Sequence, residues 1–210
     1  MNVVLYGATG MIGSRILNEL IARGHKVTVV ARNPAKVSST VNVTVLKGDV
    51  LDAESVASTA KGVDAVISAY GPGPDAPQAL MEESTRALIA GVKKAGVRRF
   101  LMVGGAGSLL VAPGVDLIDS GHVPEEWRAI AIAHRGALAI PKGSDLDWTS
   151  VSPAAFIQPG ERTGKFRLGG DSLIADEQGN SKISAEDFAV ALVDELEQPN
   201  HVRRRFTLAY

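Results

Sequence analysis

Short apolar runs alternate along the chain with segments whose apolar residues recur every three or four positions. Residues 3–6, 26–31, 43–46, 65–68, 100–103 and 148–151 make the first set, and residues 11–23, 52–61, 76–95 and 125–140 the second. Ile12, Ile16 and Leu20 share one face of the first helical segment, as do Met81, Leu88, Val92 and Ala95 in the third. That is the spacing of an amphipathic helix. The strand-like runs are Val/Ile/Leu-rich without clean alternation, as expected where a sheet is covered on both faces. Strands and helices in turn predict right-handed parallel crossovers, hence an α/β fold with a doubly wound parallel sheet of the Rossmann type.

The last third changes texture. Residues 159–183 are rich in glycine, charged and short polar residues, with only brief extended stretches. Ser184-Ala185-Glu186-Asp187 then reads as a capping box opening a helix that buries Phe188, Leu192 and Leu196, and residues 204–208 read as a final strand. The expectation is one nucleotide-binding domain over 1–210. Residues 153–183 would form a small C-terminal cap on the substrate side, and residues 184–210 the closing helix and strand.

Composition narrows the chemistry. The chain has 210 residues, enough for one core that buries roughly 70% of the unfolded surface. A formal charge of −1 offers no electrostatic attraction to nucleic acid or an anionic membrane. The basic triplet Arg203-Arg204-Arg205 falls in a strand-like segment and reads as a solvated edge. The absence of cysteine excludes thiolate catalysis, and four scattered histidines show no metal-ligand spacing, so no metal site is expected. Glycines interrupt the first apolar stretch, and no window spans a bilayer; a soluble, cytoplasmic chain is expected, as monomer or homodimer.

Between the first strand and the first helix lies Gly7-Ala8-Thr9-Gly10-Met11-Ile12-Gly13. Gly7 would permit the turn, Gly10 the close approach of a pyrophosphate, and Gly13 the packing of helix on sheet. The first-turn N–H groups lack partners within the helix and favour an anion, so Thr9, Met11 and Ile12 join the glycines as dinucleotide contacts. After the second strand the chain reads Arg32-Asn33-Pro34-Ala35-Lys36, where an NAD-specific fold usually carries a carboxylate. Arg32 suits a ribose 2′-phosphate, with Asn33 and Lys36 assisting, so NADP is expected over NAD. Ligands gather at the carboxyl ends of strands, which adds Ala69, Tyr70 and Gly71 after the fourth and Val103, Gly104 and Gly105 after the fifth.

The G-x-x-G-x-x-G spacing resembles the extended and atypical branches of the short-chain dehydrogenase/reductase superfamily. Residues 100–108, the run from Asp145 to Thr149 leading into Ser152-Pro153-Ala154, the stretch 159–164 and the stretch 183–189 resemble one group within it. This is the NADH-flavin reductase group, related to NmrA-like and biliverdin reductase B-like NAD(P)-binding proteins. The resemblance implies that Asp49 and Val50 touch adenine, although Asp49 could instead cap the helix beginning near Asp52. It also implies that Pro153 and Ala154 lie where nicotinamide rests.

The superfamily's Tyr-x-x-x-Lys pair is missing, because Gly10 and Pro74 stand four positions after Tyr6 and Tyr70, and Tyr210 ends the sequence. Reduction of a flat acceptor needs less: a flavin, quinone or related aromatic takes hydride when stacked at ~3–3.5 Å, and solvent can supply the proton. The candidate polar helpers are Ser108 and His134. Ser108 could instead only satisfy backbone. His134 shares a helical stripe with Trp127, Ala131 and Leu138 and could be a core residue. Tyr70 would line the pocket or pack, and residues 105–124 would form a lid or an ordered excursion. The competing reading is a non-enzymatic NAD(P)-binding redox sensor of NmrA-like type. A third reading, an epimerase or dehydratase, is weakened by the same absent pair and by too little chain for a sugar-nucleotide domain.

Overall fold

The computed structural model describes residues 1–73 and 76–210, and of Lys36 the backbone only. The chain opens with β1 (Asn2–Tyr6), α1 (Met11–Ala22), β2 (Lys26–Ala31) and β3 (Val43–Lys47). It continues through α2 (Ala53–Ala60), β4 (Ala65–Ser68), α3 (Ala79–Lys94) and β5 (Arg99–Val103). A short antiparallel pair, β6 (Leu110–Ala112) and β7 (Val115–Asp116), precedes α4 (Glu125–Lys142) and β8 (Asp147–Ser152). Then come β9 (Phe156–Gln158), β10 (Arg167–Gly169), β11 (Lys182–Ser184), α5 (Ala185–Glu197) and β12 (Arg204–Ala209).

The central sheet runs β10–β12–β8–β5–β4–β1–β2–β3, and every pairing is parallel except that of β10 with β12. β1 therefore stands between β2 and β4, so successive crossovers leave it in opposite directions and a crevice opens above its carboxyl end. β1 also shows why the strands lack a polar face. Val3 and Leu5 pack into one core with Ile16 and Leu20, whereas Val4 and Tyr6 pack into a second core with Val56 and Leu88. Side chains alternate across the sheet, and both faces are covered. α1 and α5 cover one face; α2, α3 and α4 supply the other.

The closing helix and strand are α5 and β12. α5 packs along α1, with Phe188 and Leu192 fully buried, and β12 lies inside the sheet between β8 and β10. Within the last third, β9 and β11 pair apart from it, as a small parallel ribbon. β10 pairs only with Thr207–Ala209, so the basic triplet lies where β12 is flanked by β8 alone: Arg203 and Arg204 are exposed, whereas Arg205 is 8% exposed at its side chain and pairs with Asp171 at 2.6 Å.

The capping box is half made. Ser184 Oγ accepts from Asp187 N–H at 3.0 Å, but the Asp187 carboxylate turns away to accept from Gly164 N–H at 2.7 Å and from Tyr210 O–H at 2.9 Å. The Tyr210 hydroxyl instead accepts from Ser184 N–H at 3.3 Å. Residues 105–124 are an ordered excursion, held to α4 by Arg135, which reaches Asp116 and Asp119 at 3.0 Å each. Trp127 breaks the stripe read for α4, standing 58% exposed, because the packing face of that helix begins only near Ala133. Among the described residues no helix is long and apolar enough to cross a membrane.

Candidate functional site: a cleft at the strand-order reversal

A cleft of about 470 Å³ opens above β1 at the crevice the topology creates. Its floor is the turn from Gly7 to Gly13. Gly7 has φ +80°, and a Cβ there would lie 2.3 Å from the carbonyl oxygen of Ala69. At Gly13 a Cβ would lie 2.0 Å from the carbonyl oxygen of Gly7. These two glycines are required by the protein's own packing. Gly10 is different, because a Cβ there meets only an ordinary 3.5 Å contact. It caps α1 without any side-chain hydrogen bond, and the first turn carries no acidic residue. The turn's N–H groups thus face the cleft unneutralised, as a diphosphate requires.

From this floor the cleft extends both ways along the sheet. Toward β2 and β3 it is lined by Arg32, Asn33, Asp49 and Val50; toward β4 and β5 by Ala69, Tyr70, Gly71, Val103 and, from α4, His134. With Gly7, Thr9, Gly10, Met11, Ile12 and Gly13, the geometry brings together most residues expected at a dinucleotide site. It adds Ala8, Val30, Gly48 and Leu51. These are chain neighbours of expected residues, so adjacency was the only signal that marked them.

Arg32 is exposed and has no ion-pair partner among the described residues, which leaves its guanidinium available to an incoming anion. Asn33 is less free: its Oδ1 accepts from Ala35 N–H at 3.2 Å to start the 3-10 turn Pro34–Lys36. The Lys36 side chain lies outside the described residues. Asp49 does not cap α2. Asp52 does, accepting from Glu54 N–H at 2.9 Å, while Asp49 accepts from Leu51 N–H at 3.0 Å within its own turn. Burial pushes the Tyr70 phenol up, with Arg32 pulling it down and Asp49 adding to the rise.

Several expected residues lie outside the cleft. Gly104 and Gly105 follow β5, but their backbones are covered by Ser150 and by the His134 ring respectively. Pro153 and Ala154 are buried beyond β8, with Ala154 in the core beside α5. Ser108 is also outside, and its Oγ accepts from Arg205 Nη1 at 2.8 Å; that bond serves the β12 side of the sheet. His134 does line the cleft. Its Nδ1 is buried with no hydrogen-bond partner, and burial lowers the ring to about 4, so at neutral pH it is uncharged and holds no proton to give as an imidazolium acid. Tyr6 is engaged below the floor, 2.8 Å from Thr59 Oγ1.

Comparison with known proteins agrees with this geometry. A family described as NAD(P)H-binding matches residues 7–199. YwnB of Bacillus subtilis is 41% identical over 99% of this chain and 98% of its own length. The solved structure of a candidate exported protein from Burkholderia pseudomallei is 50% identical, with a TM-score of 0.91 over the whole of both chains. That of a candidate NADH-flavin reductase from Streptococcus pneumoniae is 35% identical, with a TM-score of 0.88 over 100% of this chain and 99% of its own. The chain belongs to the NAD(P)H-binding family, in the atypical short-chain dehydrogenase/reductase group.

Proposed function

We propose that this protein is an NADPH-dependent oxidoreductase that reduces a flat electron acceptor such as a free flavin, a quinone or a related aromatic. The observation that carries the reading is the composition of the cleft: an unpaired Arg32 at one end, and no tyrosine–lysine pair at the other. A dihydronicotinamide, when bound, supplies the hydride. The chain's residues supply position. The N–H groups of Met11, Ile12 and Gly13 hold the diphosphate, and Arg32 takes the 2′-phosphate in a charge-assisted pair. Val103 and the uncharged His134 ring bound the far end, where the two rings would stack. Since no free acid stands there among the described residues, the proton that accompanies the hydride comes from solvent, which a delocalised acceptor anion tolerates.

The test is steady-state NADPH oxidation across a panel of free flavins, quinones and redox dyes, alongside calorimetric binding of NADPH. Acceptor-dependent oxidation above the uncatalysed rate is expected. Tight NADPH binding with no turnover across the panel would refute the enzyme reading and leave the dinucleotide sensor, which the missing tyrosine–lysine pair also favours.

A further inference from the structure

Among the described residues, the His134 ring has no hydrogen-bond partner. Its Cβ and Cγ lie 2.7 and 3.1 Å from where a Gly105 Cβ would stand, so the ring rests on the backbone just beyond β5. Its Nδ1 is buried and unpartnered, yet the residue lines the cleft and is partly exposed. Cδ2 lies toward Gly105 and Nδ1 is sealed, whereas Nε2 is not among the buried unpartnered atoms, so on this cleft-lining residue Nε2 is the nitrogen left to the cleft. An uncharged imidazole carries one N–H and one bare lone pair. Burying an N–H without a partner is the costlier orphan, and leaving a lone pair bare the cheaper one. The single proton therefore belongs on Nε2, where the cleft can satisfy it.

We propose that His134 presents its Nε2–H to the cleft as a fixed hydrogen-bond donor for a carbonyl oxygen of the bound acceptor, making it a specificity-determining residue. This rests on the reductase reading above. It selects, among flat acceptors, those with a carbonyl beside the reducible ring, as in isoalloxazines and quinones, over carbonyl-free dyes of similar size. A bare lone pair facing the cleft would select the reverse.

The test compares the wild type with His134→Leu and His134→Gln, using a quinone and a carbonyl-free phenothiazinium dye, each rate corrected for uncatalysed reduction. His134→Leu should lower kcat/KM for the quinone roughly 3- to 10-fold more than for the dye, mainly through KM. His134→Gln, whose amide N–H₂ reaches a similar point, should recover most of the loss. Equal losses with both acceptors, or no rescue by glutamine, would overturn the proposal. An imidazole ¹⁵N spectrum of the unmodified protein reads the tautomer without turnover: Nδ1 bare and Nε2 protonated is expected, and the opposite pattern refutes the donor even if nothing is reduced. Complete lack of turnover with the expected tautomer defeats the reductase reading, and the donor contact then stands or falls on whether added quinone shifts the Nε2–H resonance.

Discussion

Among single residues, the three glycines of the first turn separate what packing demands from what a ligand demands. Gly13→Ala would drive a methyl onto the Gly7 carbonyl and should unfold the turn, lowering the melting temperature sharply. Gly10→Ala meets nothing closer than 3.5 Å within the protein. It should leave the melting temperature nearly unchanged and weaken dinucleotide binding, because the new methyl stands where the diphosphate approaches. Thermal unfolding and calorimetry on the two variants check this, and a large loss of stability at Gly10 would count against it. Arg32 makes a matching case: Arg32→Ala should cost NADPH roughly 1–3 kcal/mol of binding and NADH almost nothing. Equal losses would remove the 2′-phosphate assignment.

Between elements, polar side chains decide how the last third is tied down. Glu19, on α1 and 5% exposed, accepts from Arg162 Nε and Nη2 at 2.8 Å each and from Arg23 Nε at 2.8 Å. The hydrogen bond from Arg162 is the largest influence, and desolvation opposes it. Arg23 adds to the lowering, and the carboxyl is held down to about 2. A depressed carboxylate stabilises the fold at pH above its unfolded value, and that contribution is lost as pH falls from there through about 2. Arg162 is largely in solvent, so the contribution is about 1–3 kcal/mol. Glu19→Gln should thus be less stable at pH 7 and converge on the wild type as pH falls toward 2, as urea unfolding would report. A gap independent of pH would mean the link carries no weight.

The strands and helices of the first two-thirds were legible because each follows its own local period; those predicted runs lie within a few residues of the observed bounds. β6, β7, β9, β10 and β11 were not, since two- and three-residue strands carry no period and exist only through their partners. Trp127 was placed inward by spacing alone, yet helical spacing cannot say how far along a helix its neighbours reach.

For the molecule as a whole, the consequence lies in the chain's end. β12 bridges β8 and β10, and Phe206, Leu208 and Ala209 are at most 1% exposed. Removal of residues 204–210 should therefore abolish cooperative unfolding in calorimetry. A removable cap would instead leave a sharp transition with only a modest shift.

Periodicity and the glycine spacing were enough to determine a doubly wound sheet with a glycine turn after its first strand, because both are local: a strand's pleat, a helix's stripe and a turn's φ angles act within a few residues. Arg32 belongs to the same class, its place following from the strand it ends. The tertiary structure alone decided which distant groups meet. It drew Ser108 to Arg205 and out of the cleft, turned Asp187 from its own cap toward Gly164 and Tyr210, and left His134 in the cleft with one nitrogen sealed. Those outcomes depend on how elements pack and what each buried polar atom finds there, and burial and hydrogen-bond partnership across a hundred residues leave no mark in local spacing.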